Sequence, residues 1–292
     1  MGEDLFVLVG RVAARFELGQ PVMDPVRVSG GLSNELWRLD TDRGAFAVKR
    51  MVVNADLPSF VDNVESAFKI ERRAWAAGVP MPEPIPEPTS GRALVRVDDA
   101  LFRVHRWVDG QVGGEPSVEV AGLLATIHAA GNARWGPRPG VGWKAERWGT
   151  ELAELARRVE PGPMRVLVVD SHGDLDPKNT LRGADSVLMA VDWDAAGPVG
   201  AVHEVVGVAL DWSDAEPGLF GEIVGAYVRL RGVVVPAHPW VFAGWVAGAG
   251  GWLDYNATHR GETSLGASEV AATLARLRGV HTRMDALLMA LQ

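Results

Sequence analysis

One polar segment carries residue types that suit proton transfer and metal binding. Residues 172–179 follow the pattern H-G-D-x-x-x-x-N, with Asp174 and Asn179 at its two ends, and a later apolar strand ends at Asp192. A carboxylate can accept the proton of a hydroxyl group, and carboxylate and amide oxygens are the ligands that Mg²⁺ prefers. The alternative is a simple turn followed by a polar strand end. It is disfavoured because the combined pattern is rare by composition.

This pattern resembles the catalytic and metal-binding segment of the aminoglycoside phosphotransferase family, small-molecule kinases of the protein-kinase-like superfamily. The resemblance extends over essentially the whole chain. It implies that Asp174 is the catalytic base, that Asn179 and Asp192 bind Mg²⁺, and that His172 braces the loop. A protein kinase is disfavoured, because no activation segment ending in Ala-Pro-Glu follows Asp192.

A lysine in the N-terminal part gives an independent check. Ala47 and Lys49 match the strand that grips the nucleotide phosphates in this superfamily, with the small alanine where an adenine ring would pack. The 29 basic residues of the chain include only four lysines: Lys49, Lys69, Lys144 and Lys178. A lysine at this strand position therefore suggests a need for a compact ammonium group. A helix glutamate should hold that lysine, and Glu71 is favoured over Glu65.

Two further segments complete the predicted nucleotide site. Gly30, Gly31 and Ser33 belong to a glycine-rich loop whose main-chain N–H groups could approach phosphate oxygens. Trp107 and Val108 fall where the family has its interlobe hinge. Since hinge recognition uses main-chain groups, the sequence leaves ATP and GTP equally open as the phosphate donor.

The elements that must position these residues follow from hydrophobic patterning. Alternation predicts a β-hairpin over 34–51 and a second over 93–107, with a helix over 58–77 between them. Beyond residue 110 the pattern becomes mainly helical. Together with the resemblance, this predicts an α+β, two-lobed protein-kinase-like fold. A small β-rich N-terminal lobe with one main helix would span residues 1–106, and a larger, mainly helical lobe 107–292.

Composition excludes several classes of protein. The chain has no cysteine, so disulfide frameworks and thiolate chemistry are excluded, and its net charge of −8 disfavours binding to nucleic acid or anionic membranes. Its apolar runs are too short to cross a bilayer. We therefore expect a cytoplasmic protein whose partner is a small-molecule alcohol, and a cationic acceptor would suit the negative charge. The oligomeric state stays open.

The acceptor pocket is the least determined part of the sequence. Aromatic and acidic side chains could hold an amino sugar, a nucleoside or a quaternary amine. The candidate acceptor residues are Asp176, Lys178, Asp194, Asp211, Trp240, Trp252 and Asp254. The loop charges could equally be solvated, and the tryptophans could belong to the core. Glu204 stands where many relatives have Asp, and His128 is expected to be a core or helix-end residue.

These observations predict a Mg²⁺-dependent O-phosphotransferase that moves the γ-phosphate of ATP or GTP to a hydroxyl group. The resemblance favours an antibiotic as the acceptor, especially an aminoglycoside or another sugar- or nucleoside-containing compound. One alternative is a metabolic kinase for an amino sugar or a choline-like alcohol. The other alternative is a catalytically silent relative that only binds a nucleotide or ligand. The silent relative is disfavoured because the chain has all four residues of the predicted site: Lys49, Asp174, Asn179 and Asp192.

Overall fold

The computed structural model describes residues 2–28, 34–115, 117–139 and 142–292 of the chain. It divides into two compact units, one formed by Met1–Gln111 and Leu181–Gly197, the other by Val112–Thr180 and Pro198–Gln292. The expected division after residue 106 therefore differs from the structure. The segment that contains Asp192 belongs to the first unit, where Asp192 and Asp194 form ion pairs with Lys49.

The helices and strands, in chain order, are α1 Gly2–Arg15, β1 Val26–Val28, β2 Asn34–Thr41, β3 Gly44–Met51, α2 Phe60–Ala76, β4 Pro84–Ile85, β5 Val95–Val97, β6 Ala100–Arg106, β7 Gly110–Val112, α3 Glu119–Ala130, β8 Ala133–Pro137, α4 Thr150–Val159, β9 Arg165–Ser171, β10 Thr180–Gly183, β11 Leu188–Ala190, β12 Gly197–Gly200, α5 Ala201–Ser213, α6 Pro217–Arg231, α7 Ala243–His259 and α8 Ser264–Met289. Short 3₁₀ helices lie at Glu146–Trp148, Pro177–Asn179, Trp193–Ala195 and Pro239–Phe242.

An antiparallel sheet in the order β1-β2-β3-β6-β4 forms the first unit, with β5 also paired to β6. Phe46 and Val48 are buried on one face of β3. Helix α1 and the turn after it cover that face, through side chains such as Val12 of the helix and Phe16 of the turn. Lys49 alternates to the other face of β3, where the register places it opposite Arg103 of β6.

Helix α2 packs on the sheet through Val64 and Phe68, which share a core cluster with Met51 and Leu101. Both predicted hairpins and this helix are confirmed. Helix α1 was not predicted, although its buried residues Val9, Val12 and Ala13, with Phe16 just after its end, have helical spacing. Among its described residues, the first unit thus has two α-helices where the sequence predicted one main helix.

The second unit is mainly helical and also holds strands β8 and β9, which pair antiparallel. Helix α7 was not predicted, because its glycines lower helix propensity. One of them, Gly250, has a packing reason: a Cβ there would lie 2.2 Å from Cδ2 of Trp143. The α+β class, β-rich at the N-terminus and helical at the C-terminus, is confirmed. In the described ranges, no helix is both long and apolar enough for a membrane span.

Candidate active site

Lys49 lies on the central strand β3, and two carboxylates hold its ammonium group. Its Nζ is 2.8 Å from Oδ1 of Asp192 and 2.5 Å from Oδ2 of Asp194. The lysine side chain is only 12% exposed, so these ion pairs are poorly screened. Desolvation opposes the charge, but the two aspartates outweigh it and raise the pKa of Lys49. Lys49 is therefore a fixed positive charge.

The predicted pairing of Lys49 with Glu71 is wrong, because Glu71 has other partners. The Glu71 carboxylate is almost completely buried on α2 and accepts from the guanidinium of Arg103 and from Nε2 of His105, the latter at 2.8 Å. Desolvation acts against ionisation, but Arg103 and His105 prevail and lower the pKa of Glu71. Arg103 is paired with Lys49 on the neighbouring strand β6, and it is Arg103 that binds Glu71 in this structure.

Glu65 does not hold the lysine either. Its carboxylate accepts from the main-chain N–H groups of Ala93 and Leu94, at 3.1 and 3.0 Å, and pairs with Arg92 at 3.2 Å. This glutamate therefore ties α2 to the chain entering β5.

The other predicted nucleotide-binding residues are only partly described. Ala47 is half-buried on the same face of β3 as Lys49, as expected for a residue beneath a base. Trp107 and Val108 are half-buried, and the main-chain N–H of Trp107 donates to the carbonyl of Ala45 at 3.0 Å. Gly30, Gly31 and Ser33 lie outside the described residues. The nucleotide-binding roles of all these residues remain predictions.

In the second unit, Asp174 and Asn179 are brought together by a short loop. The Asn179 amide nitrogen donates to the main-chain oxygen of Asp174 at 2.8 Å and to its Oδ2 at 2.7 Å. Asp176 caps the intervening 3₁₀ helix by accepting from the Asn179 N–H at 3.2 Å. The loop therefore presents one carboxylate whose direction is fixed by the asparagine.

Electrostatics favour Asp174 as a proton acceptor. Desolvation raises the pKa of its carboxyl above the ordinary aspartate value, against the opposing charge of Lys178 and with the support of Asp176. A carboxylate with a raised pKa is a better base than an ordinary aspartate, and Asp174 is solvent-exposed, so a substrate could reach it.

Glu204 braces this loop from helix α5. Its Oε1 accepts from the main-chain N–H of Gly173 at 2.8 Å, and its Oε2 lies 2.5 Å from Nε2 of His128. Since a carboxylate only accepts, the histidine donates to it. Nδ1 of His128 contacts the hydroxyl of Tyr227 at 2.5 Å, and the group is buried. The side chain of Glu204 thus braces the loop at Gly173, and His128 and Tyr227 hold Glu204 in turn.

The sequence placed His128 in the core, which is correct, but did not reveal this link. Two further contacts hold the loop. His172 is buried and its Nδ1 accepts from the Asp174 N–H at 3.3 Å, while Trp212 is buried and donates to the carbonyl of Leu175 at 3.1 Å.

The predicted Mg²⁺ ligands have suitable chemistry. Because the amide nitrogen of Asn179 faces Asp174, its oxygen is the atom that remains for a cation. The Asp192 carboxylate is 46% exposed. Within the described residues, no group of three or more His, Asp or Glu side chains is arranged for a metal. Asn179 lies in the second unit and Asp192 in the first, and the binding of Mg²⁺ by these two residues remains a prediction.

Three of the candidate acceptor residues, Asp176, Lys178 and Asp211, lie near one another around the loop of residues 172–179. Asp176 pairs with Lys178 at 2.6 Å. Asp211 accepts from the Trp245 indole at 2.7 Å and from Arg276. Desolvation, with contributions from Asp176 and Asp174, raises the pKa of Asp211 to about 6. This surface of the second unit therefore holds three carboxylates, Asp174, Asp176 and Asp211, against the two cations Lys178 and Arg276.

The predicted acceptor role of Asp194 is corrected by its contacts. Asp194 lies in the first unit, where it pairs with Lys49 and Arg103. Trp240 packs edge-on against His203, with ring centroids 5.6 Å apart. Trp252 stacks on a neighbouring tyrosine and donates to Glu269 at 3.0 Å, joining α7 to α8.

Asp254 has three partners within the second unit. It accepts from the indoles of Trp143 and Trp148, at 3.1 and 2.7 Å, and from Nε of Arg147 at 3.0 Å. These bonds hold the segment before α4 against α7. The contacts of Asp254, Trp240 and Trp252 explain their positions without an acceptor, and an acceptor role for them remains a prediction.

Comparison with known proteins identifies the family of the chain. A model of the phosphotransferase enzyme family (APH) matches residues 24–235. No curated protein sequence matches the chain. Among solved structures, spectinomycin phosphotransferase APH(9)-Ia in complex with ADP and spectinomycin has a TM-score of 0.64 at 10% identity, covering 95% of this chain and 97% of that one.

Two further structures show the same fold. An aminoglycoside phosphotransferase from Alicyclobacillus acidocaldarius has a TM-score of 0.54 at 16% identity, covering 91% of this chain and 90% of that one. A thermostable mutant of APH(4)-Ia, in ternary complex with ADP and hygromycin B, has a TM-score of 0.60 at 15% identity, covering 96% and 97%. The kinase-like fold predicted from the sequence is confirmed, and the chain belongs to the phosphotransferase enzyme family as a kinase-type enzyme.

Proposed function

We propose that the protein is a Mg²⁺-dependent small-molecule O-phosphotransferase that moves the γ-phosphoryl group of ATP or GTP to an acceptor hydroxyl. The observation that carries the proposal is the Asp174–Asn179 pair, a carboxylate of raised pKa oriented by an amide on a braced loop. Family membership and the nucleotides bound by structural neighbours support the reaction class.

In this proposal, Lys49 binds the nucleotide phosphates, and Asn179 and Asp192 hold Mg²⁺. When bound, the metal offsets negative charge on the phosphates. Asp174 accepts a hydrogen bond from the acceptor hydroxyl, directs its oxygen toward the γ-phosphorus and takes up its proton. The charge and orientation of the reactants therefore supply most of the catalysis, as expected for phosphoryl transfer.

An aminoglycoside or related antibiotic is the leading acceptor. Spectinomycin and hygromycin B are bound by structural neighbours, and the acidic surface around Asp176 and Asp211 suits a cationic amino sugar. A metabolic kinase for an amino sugar or a choline-like alcohol is the second candidate, because the same surface suits those cations. Since the donor is a nucleoside triphosphate, we also propose a cytoplasmic location.

The test is a phosphate-transfer assay with ATP and GTP over a panel of aminoglycosides, other antibiotics, amino sugars and choline. Wild type is compared with Asp174→Asn. The proposal expects Mg²⁺-dependent transfer to at least one acceptor by wild type only, and the accepted compound decides between resistance and metabolism. Nucleotide binding without transfer to any acceptor would instead favour the silent relative.

A further inference from the structure

A buried arginine connects the lysine site to helix α2. Arg103 is 2% exposed, and its guanidinium donates to Glu71 with one nitrogen and to Asp194 with the other. Asp194 in turn holds Lys49 at 2.5 Å. The four side chains form one ionic chain in the first unit, running Glu71, Arg103, Asp194, Lys49.

The cost of burying Arg103 shows that this arrangement is specific. An arginine cannot lose its charge in a protein, so burial away from water is very unfavourable without partners. Here its planar fork binds two carboxylates, a geometry that lysine cannot reproduce. Its face also lies over the ring of Phe68, with 5.9 Å from Cζ to the ring centroid. The guanidinium is therefore fixed on three sides.

Asp194 links this ionic chain to the proposed role of Lys49. In the proposed function Asp192 binds Mg²⁺, so it cannot be the only carboxylate that holds Lys49. Asp194 remains as a partner of the lysine, and Arg103 keeps the Asp194 carboxylate in place. Helix α2 thus contributes to the lysine site through two intermediate residues, and Glu71 does not need to touch Lys49.

We propose that Arg103 is a positioning residue that sets the location of the Lys49 ammonium group through Asp194. This inference rests on the proposed function, because it assigns Lys49 to the nucleotide phosphates. Arg103 touches no substrate in this proposal. Its effect on nucleotide affinity must therefore pass through Lys49.

A thermodynamic cycle tests this dependence. Affinities for Mg²⁺-ADP and Mg²⁺-GDP are measured by calorimetry for wild type, Arg103→Gln, Lys49→Met and the double variant. We expect Arg103→Gln to weaken binding about tenfold, and to add almost nothing in the Lys49→Met background, since interacting residues are not additive. Arg103→Lys should recover only part of the loss, because it keeps the charge and loses the fork.

Arg50 provides the matched control, being adjacent to Lys49 in the chain but paired with Glu35 at 3.1 Å on the other face of the sheet. Arg50→Gln should change affinity less than about twofold. If Arg103→Gln does not fold, Glu71→Gln weakens the same ionic chain at the carboxylate on α2 that holds Arg103, and it must show the same non-additivity with Lys49→Met.

Full additivity, or unchanged affinity in Arg103→Gln, would overturn the inference while leaving the proposed function intact. Failure of wild type to bind either nucleotide would instead refute the proposed function.

Discussion

The two regions that carry the site are held in different ways. Around Lys49, a positive side chain is buried among charged groups that neutralise one another. Around Asp174, an exposed carboxylate sits on a loop fixed by an amide, by main-chain hydrogen bonds and by the Glu204–His128 contact. The first region fixes a charge by ion pairs, and the second fixes a direction and leaves the charge accessible.

This difference matches the tasks proposed for the two residues. A group that binds phosphates in every turnover gains from a permanent charge in a fixed place. A base must exchange a proton with its substrate, so it needs access and a pKa above that of an ordinary aspartate. Strong counter-charges beside Asp174 would lower its pKa and weaken it as a base. The predictions below test this contrast.

The largest effect is expected for Asp174→Asn, which removes the base but keeps a side chain of the same shape. We expect kcat for phosphate transfer to fall by about 10²- to 10⁴-fold, with nucleotide affinity and melting temperature nearly unchanged. Glu222→Gln, on the exposed face of α6, is the control and should keep full activity. A kcat within about threefold of wild type would show that Asp174 is not the base.

The brace behind the loop should matter next. Glu204→Ala leaves the Gly173 N–H and the buried His128 without their acceptor, so we expect a loss of about 3 kcal/mol in the free energy of unfolding and a lower kcat. Denaturant unfolding and steady-state kinetics measure the two effects. Glu154→Ala, at an exposed position of α4, should change stability by less than about 0.5 kcal/mol. Equal stability of the two variants would refute the bracing role.

Acid stability should depend on His203, a buried residue that takes no part in catalysis. Desolvation, with the nearby Arg138, lowers its pKa to about 4. Between pH 4 and 6.5 the unfolded chain binds more protons at this site than the folded one, so stability falls as the pH is lowered through that window, by up to about 3 kcal/mol. His203→Gln should flatten this dependence in thermal unfolding, whereas His259→Gln, at an exposed position, should not. A dependence as steep as wild type in His203→Gln would contradict the assignment.

The sequence predicted the parts of this molecule whose signals are local. The hairpin carrying Lys49 follows from alternation, and the Asp174–Asn179 loop follows from a motif with fixed spacing. Helix α7 was missed because its glycines suit close packing rather than helix propensity. No local pattern in the sequence indicated that residues 181–197 belong to the first unit while the segments on either side belong to the second.

The contacts of Glu71 and Glu204 depend on residues far away in the chain. The predicted pair of Glu71 and Lys49 assumed a direct contact. In the structure Arg103, on the later strand β6, binds Glu71 instead of Lys49. Arg103, flanked in β6 by the apolar residues Phe102 and Val104, was the available signal. The link from Glu204 to His128 joins α5 to α3 and has no local signature.

The smallest effect separates an acceptor role from a structural one at Asp254. Because its partners are two indoles and a half-exposed arginine, Asp254→Asn keeps an acceptor oxygen and loses only the ionic part of the contact. We expect a loss of about 1 kcal/mol in stability, with KM for the acceptor within about twofold of wild type. Asp254→Ala should lower stability further and still leave KM unchanged. A tenfold higher KM in Asp254→Asn with an unchanged melting temperature would instead place Asp254 in the acceptor pocket, and the acidic surface would then extend beyond Asp176 and Asp211.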